Sequence, residues 1–203
     1  MRIVAMMAGL AAVAGCAGAA PADNAETGNL TVTQDAPKIS SKPVPGELPA
    51  RPLLNVAPGA IALVDAKSGS SRELAFGAEK DVVLTAVGRA LDAPVESGVN
   101  RECGEGAMDY AKFKGGPALW FQEGKLVGWF LDDAKSRVTT ASGTGIGSVR
   151  SEVADALAIS DQPDSTLGRE FSTENGTLSG LLDGAGDQAK VTALWSGQVC
   201  LFR

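Results

Sequence analysis

Apolar positions along the chain fall into three regimes. They are continuous from Ile3 to Val13, sparse and broken by proline from Ala17 to Pro58, and grouped into short glycine-separated runs from Gly59 onward. The third regime carries the signals of regular structure. Ile61-Ala62-Leu63-Val64 reads as a strand, and between Ala78 and Leu91 the residues Val83, Ala86, Val87, Ala90 and Leu91 recur at helical spacing before Asp92-Ala93-Pro94 stops the helix. Ala118 to Phe121 and Leu126 to Leu131 flank Gln122-Glu123-Gly124-Lys125 and predict a hairpin, followed by a strand over Arg137 to Ala141. A second helix is expected from Ser148, a candidate N-cap, with Val149, Val153, Ala156 and Leu157 on one face. Arg169 to Thr173 and Thr177 to Leu182 are joined through Asn175-Gly176, and Val191 to Trp195 and Gln198 to Phe202 through Ser196-Gly197.

The expected fold is therefore α+β, with antiparallel sheet and two main helices. Gly77 and Gly147 each precede a helix, and Ala118-Leu119-Trp120 and Ala193-Leu194-Trp195 are identical. These matches raise two tandem helix-plus-meander units, about 60–135 and 136–203, as one arrangement of the 59–203 domain; chance recurrence is the other. Such an order is similar to the tandem architecture of the β-lactamase inhibitory proteins and to the small lipoprotein of the outer-membrane barrel-assembly machinery. No functional residue transfers on that similarity.

The first regime carries an address. Arg2, the apolar run to Val13 and the small residues Ala14 and Gly15 form a secretory leader over 1–15, too short to span a bilayer as a helix. Val13-Ala14-Gly15-Cys16 resembles the lipobox of bacterial lipoproteins. The resemblance implies a diacylated Cys16 as the first mature residue, and two chains anchor stably where one does not. Ala17 follows in place of the aspartate that retains many lipoproteins at the inner membrane, which points to the periplasmic face of the outer membrane. Residues 16–58 hold seven of the ten prolines and read as a disordered tether, although Leu53-Leu54-Asn55-Val56 also suits an extended arm lying on the domain.

Composition narrows the chemistry. The 203 residues contain no histidine, three cysteines and a formal charge of -6. Without histidine there is no Ser-His or Cys-His dyad and no imidazole metal ligand, and the acidic balance argues against nucleic acid as a partner. With Cys16 lipidated, Cys103 and Cys200 most simply form one disulfide in an oxidising envelope; a redox pair and buried free thiols are the alternatives. Gly143-Thr144-Gly145-Ile146-Gly147-Ser148 before a helix matches neither phosphate-loop spacing, so a plain turn competes with anion binding by Gly145, Gly147, Ser148 and Arg150. Glu102, Glu105 and Asp109 beside Tyr110 offer carboxylates for acid-base work, against the simpler reading of a solvated loop. Asp183-Gly184-Ala185-Gly186-Asp187 lacks the ligand spacing of a calcium loop. No cofactor motif or metal set is present in the sequence. Trp120, Phe121, Trp129 and Phe130 form adjacent pairs on two strands, so one member of each pair is expected to point outward and offer a partner-binding surface, unless both faces are covered.

The segment from Cys103 to Leu157, with Trp120 to Trp129 and Thr139 to Ser148, resembles a family of small bacterial envelope proteins often labelled aspartate-semialdehyde dehydrogenase. That label implies a nicotinamide-nucleotide fingerprint and a catalytic cysteine with a histidine base, and this chain has neither the fingerprint nor a histidine. The expected function is a non-catalytic envelope lipoprotein that is held at the membrane by its lipid and binds a protein or cell-wall component. A small-ligand-binding protein or a histidine-independent hydrolase is the alternative.

Overall fold

The computed structural model describes residues 50–201; the leader, Cys16 and the tether up to residue 49 lie outside the described residues. The first element overturns the tether boundary. β1 (Leu53–Ala57) pairs with β2 (Ala60–Val64), and β2 pairs with β3 (Ser71–Ala75), in a three-stranded antiparallel sheet. Leu54 and Val56 alternate into the core, and Pro58-Gly59 makes the two-residue turn, with Gly59 at φ +75. Proline here closes a hairpin and does not mark unstructured chain.

α1 (Lys80–Leu91) buries Val83, Ala86 and Val87, and the chain leaves it at Asp92 as expected. Four strands follow, β4 (Glu96–Asn100), β5 (Met108–Lys112), β6 (Ala118–Gln122) and β7 (Lys125–Leu131). Glu123 and Gly124 both take positive φ, as the tight β6–β7 hairpin requires. α2 (Arg150–Leu157) then leads into β8 (Ile159–Gln162), β9 (Arg169–Thr173), β10 (Ser179–Leu182) and β11 (Val191–Gly197). The eight strands form one antiparallel sheet in the order β4-β5-β6-β7-β11-β10-β9-β8. Each helix is thus followed by a four-stranded meander, and the two meanders meet through their last strands.

The repeat extends to individual hydrogen bonds. Gly77 N–H donates to Leu126 O at 2.7 Å, Leu126 N–H to Ala78 O at 2.9 Å and Lys80 N–H to Gly124 O at 2.8 Å. Gly147 N–H donates to Val191 O at 2.8 Å, Val191 N–H to Ser148 O at 2.9 Å and Arg150 N–H to Ala189 O at 2.8 Å. Gly77 and Gly147 have φ of +92 and +87, a backbone state that disfavours any side chain, so the matching glycines have a common conformational cause. The units bounded this way are 77–131 and 147–197, with the three-stranded sheet preceding both, which corrects the expected 60–135 and 136–203. The identical Ala-Leu-Trp triplets are not equivalent: one lies on β6, the third strand of its meander, and the other on β11, the fourth.

Three further expectations change. Residues 137–141 form only two isolated bridges, from Thr139 to Asn55 and to Gly145; the Thr139 carbonyl accepts from Val56 N–H at 3.0 Å, and the chain turns back at Thr140 to Gly143. Ser148 does not cap α2; its Oγ accepts from Gly145 N–H at 3.0 Å and Val149 occupies the cap. No hairpin forms at Ser196-Gly197, since β11 runs through both residues to pair with β7.

The main core lies between the helices with the three-stranded sheet and one face of the eight-stranded sheet. Ile61, Val83, Leu119, Phe121, Trp129, Val153, Phe171 and Leu194 are all fully buried in it.

Candidate binding face

Strand alternation sends the four predicted aromatics in two directions. Phe121 and Trp129 turn into the core, where the Trp129 indole N–H donates to Ala57 O at 2.9 Å and so joins the two sheets. Trp120 and Phe130 turn to the opposite face and remain half-buried. Two aromatics outside the expected set join them there. Tyr110 is the β5 partner of Trp120, with ring centroids 5.6 Å apart, and Trp195 is the β11 partner of Phe130, with centroids 6.1 Å apart. Phe130 and Trp195 occupy the seam between the two units, four residues beyond the matched positions Leu126 and Val191. The aromatic row is therefore partly a product of the repeat.

A cleft of about 350 Å³ opens along this row, with Glu96, Lys112 and Asp132 beside Tyr110, Trp120 and Phe130. The Tyr110 hydroxyl donates to Glu96 Oε1 at 2.7 Å, which raises the phenol's pKa because its ionised form would face a carboxylate. Trp120 Nε1 is buried and has no hydrogen-bond partner. An unpaired buried donor costs about 1–3 kcal/mol, so an acceptor reaching this nitrogen would recover a real deficit.

The chain after β11 forms one wall. Gln198 N–H donates to Val127 O at 2.9 Å, and the carbonyl of Gln198 lies where a side chain on Gly128 would begin, 2.0 Å from an ideal Cβ. Cys200 is then bonded to Cys103 in the β4–β5 loop, with Cα atoms 5.2 Å apart, so the expected disulfide is formed in the structure. That loop is held to the same sheet by Gln122 Nε2, which donates to Glu105 O at 2.9 Å. Cys200 and Leu201 line both the aromatic cleft and a second cleft of about 310 Å³ that contains Met108 and Trp195. The tail thus crosses the face and divides it.

Gly128→Ala tests this placement. Its Cβ must displace the tail backbone, and a loss of about 1–3 kcal/mol is expected in urea denaturation. An unchanged midpoint would mean that the tail does not lie on Gly128.

The other expected constellations separate in space. In the glycine-rich turn Gly145 N–H donates to Ser148 Oγ at 3.0 Å, Gly147 N–H to Val191 O at 2.8 Å and Ser148 N–H to Gly145 O at 3.1 Å. These donors are already used, and the Arg150 guanidinium is paired with Asp161 at 3.0 Å and Asp187 at 3.7 Å, so the groups of the anion reading do not form a cradle. No match to this chain is found among protein-family models, curated proteins or solved structures.

Asp109 points to the helix side and pairs with Lys80 at 2.7 Å, whereas its neighbour Tyr110 faces the cleft, so carboxylate and phenol do not converge. Asp183 accepts from Lys190 N–H at 2.7 Å, which makes 183–187 the start of a turn between β10 and β11. Among the described residues no group of three metal-ligating side chains comes together. A further cavity of about 570 Å³ lies between Arg150, Asp161, Arg169 and Glu170 at the far end of the sheet. Glu170 is buried and accepts from Ser165 Oγ at 2.5 Å, a fixed arrangement that ties down the loop before β9.

Proposed function

We propose that the protein is a non-catalytic cell-envelope lipoprotein, anchored through Cys16, that binds a protein or cell-wall component on the aromatic face of its eight-stranded sheet. The observation that carries this reading is the cleft lined by Tyr110, Trp120 and Phe130, in which the Trp120 indole keeps a buried Nε1 without a hydrogen-bond partner. Large aromatics on an otherwise polar surface are the residue type that dominates binding hot spots, and an unmet donor among them adds directional preference. The leader and the Val13-Ala14-Gly15-Cys16 box support the envelope address. A hydrolytic role draws no support from the acidic residues, because Asp109 is committed to Lys80 on the other side of the sheet.

Two measurements test the reading. Cys16→Ser is expected to move the protein from the membrane fraction to the soluble periplasmic fraction; unchanged fractionation refutes the anchor. Proximity crosslinking in the intact envelope is expected to give a stoichiometric adduct with a protein or with the cell wall that is lost in Trp120→Ala and Phe130→Ala. An adduct indifferent to both substitutions would place binding elsewhere on the molecule.

A further inference from the structure

We infer that the aromatic cleft takes an N-acetylhexosamine ring of a cell-wall glycan, with the acetamido carbonyl accepting from Trp120 Nε1. This rests on the envelope-binding reading above and narrows its ligand. Three features of the cleft select the class.

Its polar lining is mixed, with Glu96 and Asp132 as carboxylates, Lys112 as a cation and Asn100 as an amide. A small anion meets the two carboxylates and a small cation meets Lys112, whereas a neutral ring bearing hydroxyls finds both acceptors and donors around its rim. The walls are Tyr110, Trp120 and Phe130, whose faces suit the C–H surfaces of a pyranose. The orphan indole N–H requires an acceptor held close to an aromatic wall, and an acetamido group supplies a carbonyl together with a methyl that packs on the rings.

An extended peptide fits less well. β5, β6 and β7 are each paired on both sides, so the cleft floor offers no free backbone ladder for strand addition, and recognition there falls to side chains alone. The volume of about 350 Å³ also lies at the small end of ligand clefts, which limits the occupant to one or two rings. Trp120 Nε1 is closed to water, so the acetamido oxygen reaches it only when a neighbouring side chain moves aside.

The probe is chitotriose, with cellotriose, which has the same ring linkage but no acetamide, as the control. With the full chain labelled with ¹⁵N, chitotriose is expected to move the indole resonance of Trp120 saturably while that of the core residue Trp129 stays in place. Trp120→Phe keeps an aromatic wall and removes the donor; it is expected to weaken chitotriose binding about three- to tenfold and to leave the weak cellotriose response unchanged. Purified cell-wall sacculi are expected to retain the wild-type protein more than Trp120→Phe. The inference is overturned if neither chitotriose nor sacculi bind, if the Trp120 resonance is unmoved at saturation, or if Trp120→Phe affects both sugars equally. Failure on these sugars together with a protein adduct lost in Trp120→Ala overturns the glycan and leaves the binding face standing; loss of every adduct removes both.

Discussion

Trp129→Ala is expected to cost about 3–5 kcal/mol of folding stability, the range for emptying a fully buried tryptophan site. The indole is 0% exposed and is packed in the cluster that includes Leu119, Leu131 and Val138, where no solvent can fill the space left behind. Its N–H also donates to Ala57 O at the end of β1, so the substitution removes a link between the three-stranded and eight-stranded sheets as well as volume. A domain stable by about 5–15 kcal/mol would lose a large share of that margin. Urea denaturation followed by far-UV circular dichroism measures the effect. Trp129→Phe separates the two contributions, since it keeps most of the ring and gives up the hydrogen bond, and it is expected to lose only about 1–2 kcal/mol. A loss below about 1 kcal/mol for the alanine variant would contradict full burial. Phe130→Ala, one position along, removes a half-buried ring from the other face and is expected to destabilise less.

The contrast between Trp129 and Phe130 shows where the sequence is readable and where it stops. Strand existence was plain from Ala118 to Leu131, and adjacent aromatics had to divide between faces because strand side chains alternate. Which member went inward was hidden by a bulge. Phe121 pairs with Leu126 but Trp120 pairs with Gly128, so Val127 is the extra residue, and one inserted residue reverses every side chain beyond it. The local signal is the neighbouring Gly128, since a glycine inside a strand marks a bulge or a close backbone approach, and here the tail lies against it. The same limit explains the hairpin misplaced at Ser196-Gly197. Those residues have turn chemistry, yet β11 gains a full partner in β7 by continuing, and a long-range ladder outweighs a local preference. β4, with Ser97 and Gly98 at its centre and Val99 as its one β-favouring residue, carries little β-propensity of its own and pairs with β5 along its length. Helix α1 was legible because its stripe is made of residues that face the core, while α2, with Val153 as its buried residue, gave a weaker stripe and a cap one residue off.

The site was legible in part for the same reason. Trp120 and Phe130 were within the expected set, whereas Tyr110 and Trp195 become neighbours of that pair only through the pairings β5–β6 and β7–β11. The repeat accounts for Phe130 and Trp195 meeting at the seam, and the chain after each last strand then breaks the symmetry. After β7, Asp133 accepts from Gly115 N–H at 3.0 Å and Lys135 N–H at 2.8 Å, bonds that favour its ionised form and depress its pKa, and the chain turns away from the face. After β11 the tail crosses the face instead. One repeat supplies the open cleft, and the other supplies its wall.

Removing that wall's fastening is expected to have the second large effect. The Cys103–Cys200 bond closes a loop with a sequence separation of 97, nearly two-thirds of the described chain, and in the chain-entropy model a loop of about that length restrains the unfolded state by about 4–5 kcal/mol. Cys103→Ser with Cys200→Ser should therefore lower the urea midpoint severely, and wild-type protein kept in a dithiol reductant should fall to the same value. The two arms check each other, because the double variant has no bond to reduce and its midpoint must not respond to the reductant. Structure predicts where the loosened state differs first. The tail keeps the Gln198 N–H to Val127 O bond near β11, but beyond it the bond to the β4–β5 loop is gone, so Met108 and Trp195, both buried on this face, gain exposure. Hydrogen exchange should accelerate over 101–108 and 198–201 before it does in β6 or β7, whose ladders do not involve the bridge. A double variant within about 1 kcal/mol of wild type would show that the unfolded chain is already restrained by other means, and equal exchange across all of these segments would show that the tail does not cover the face.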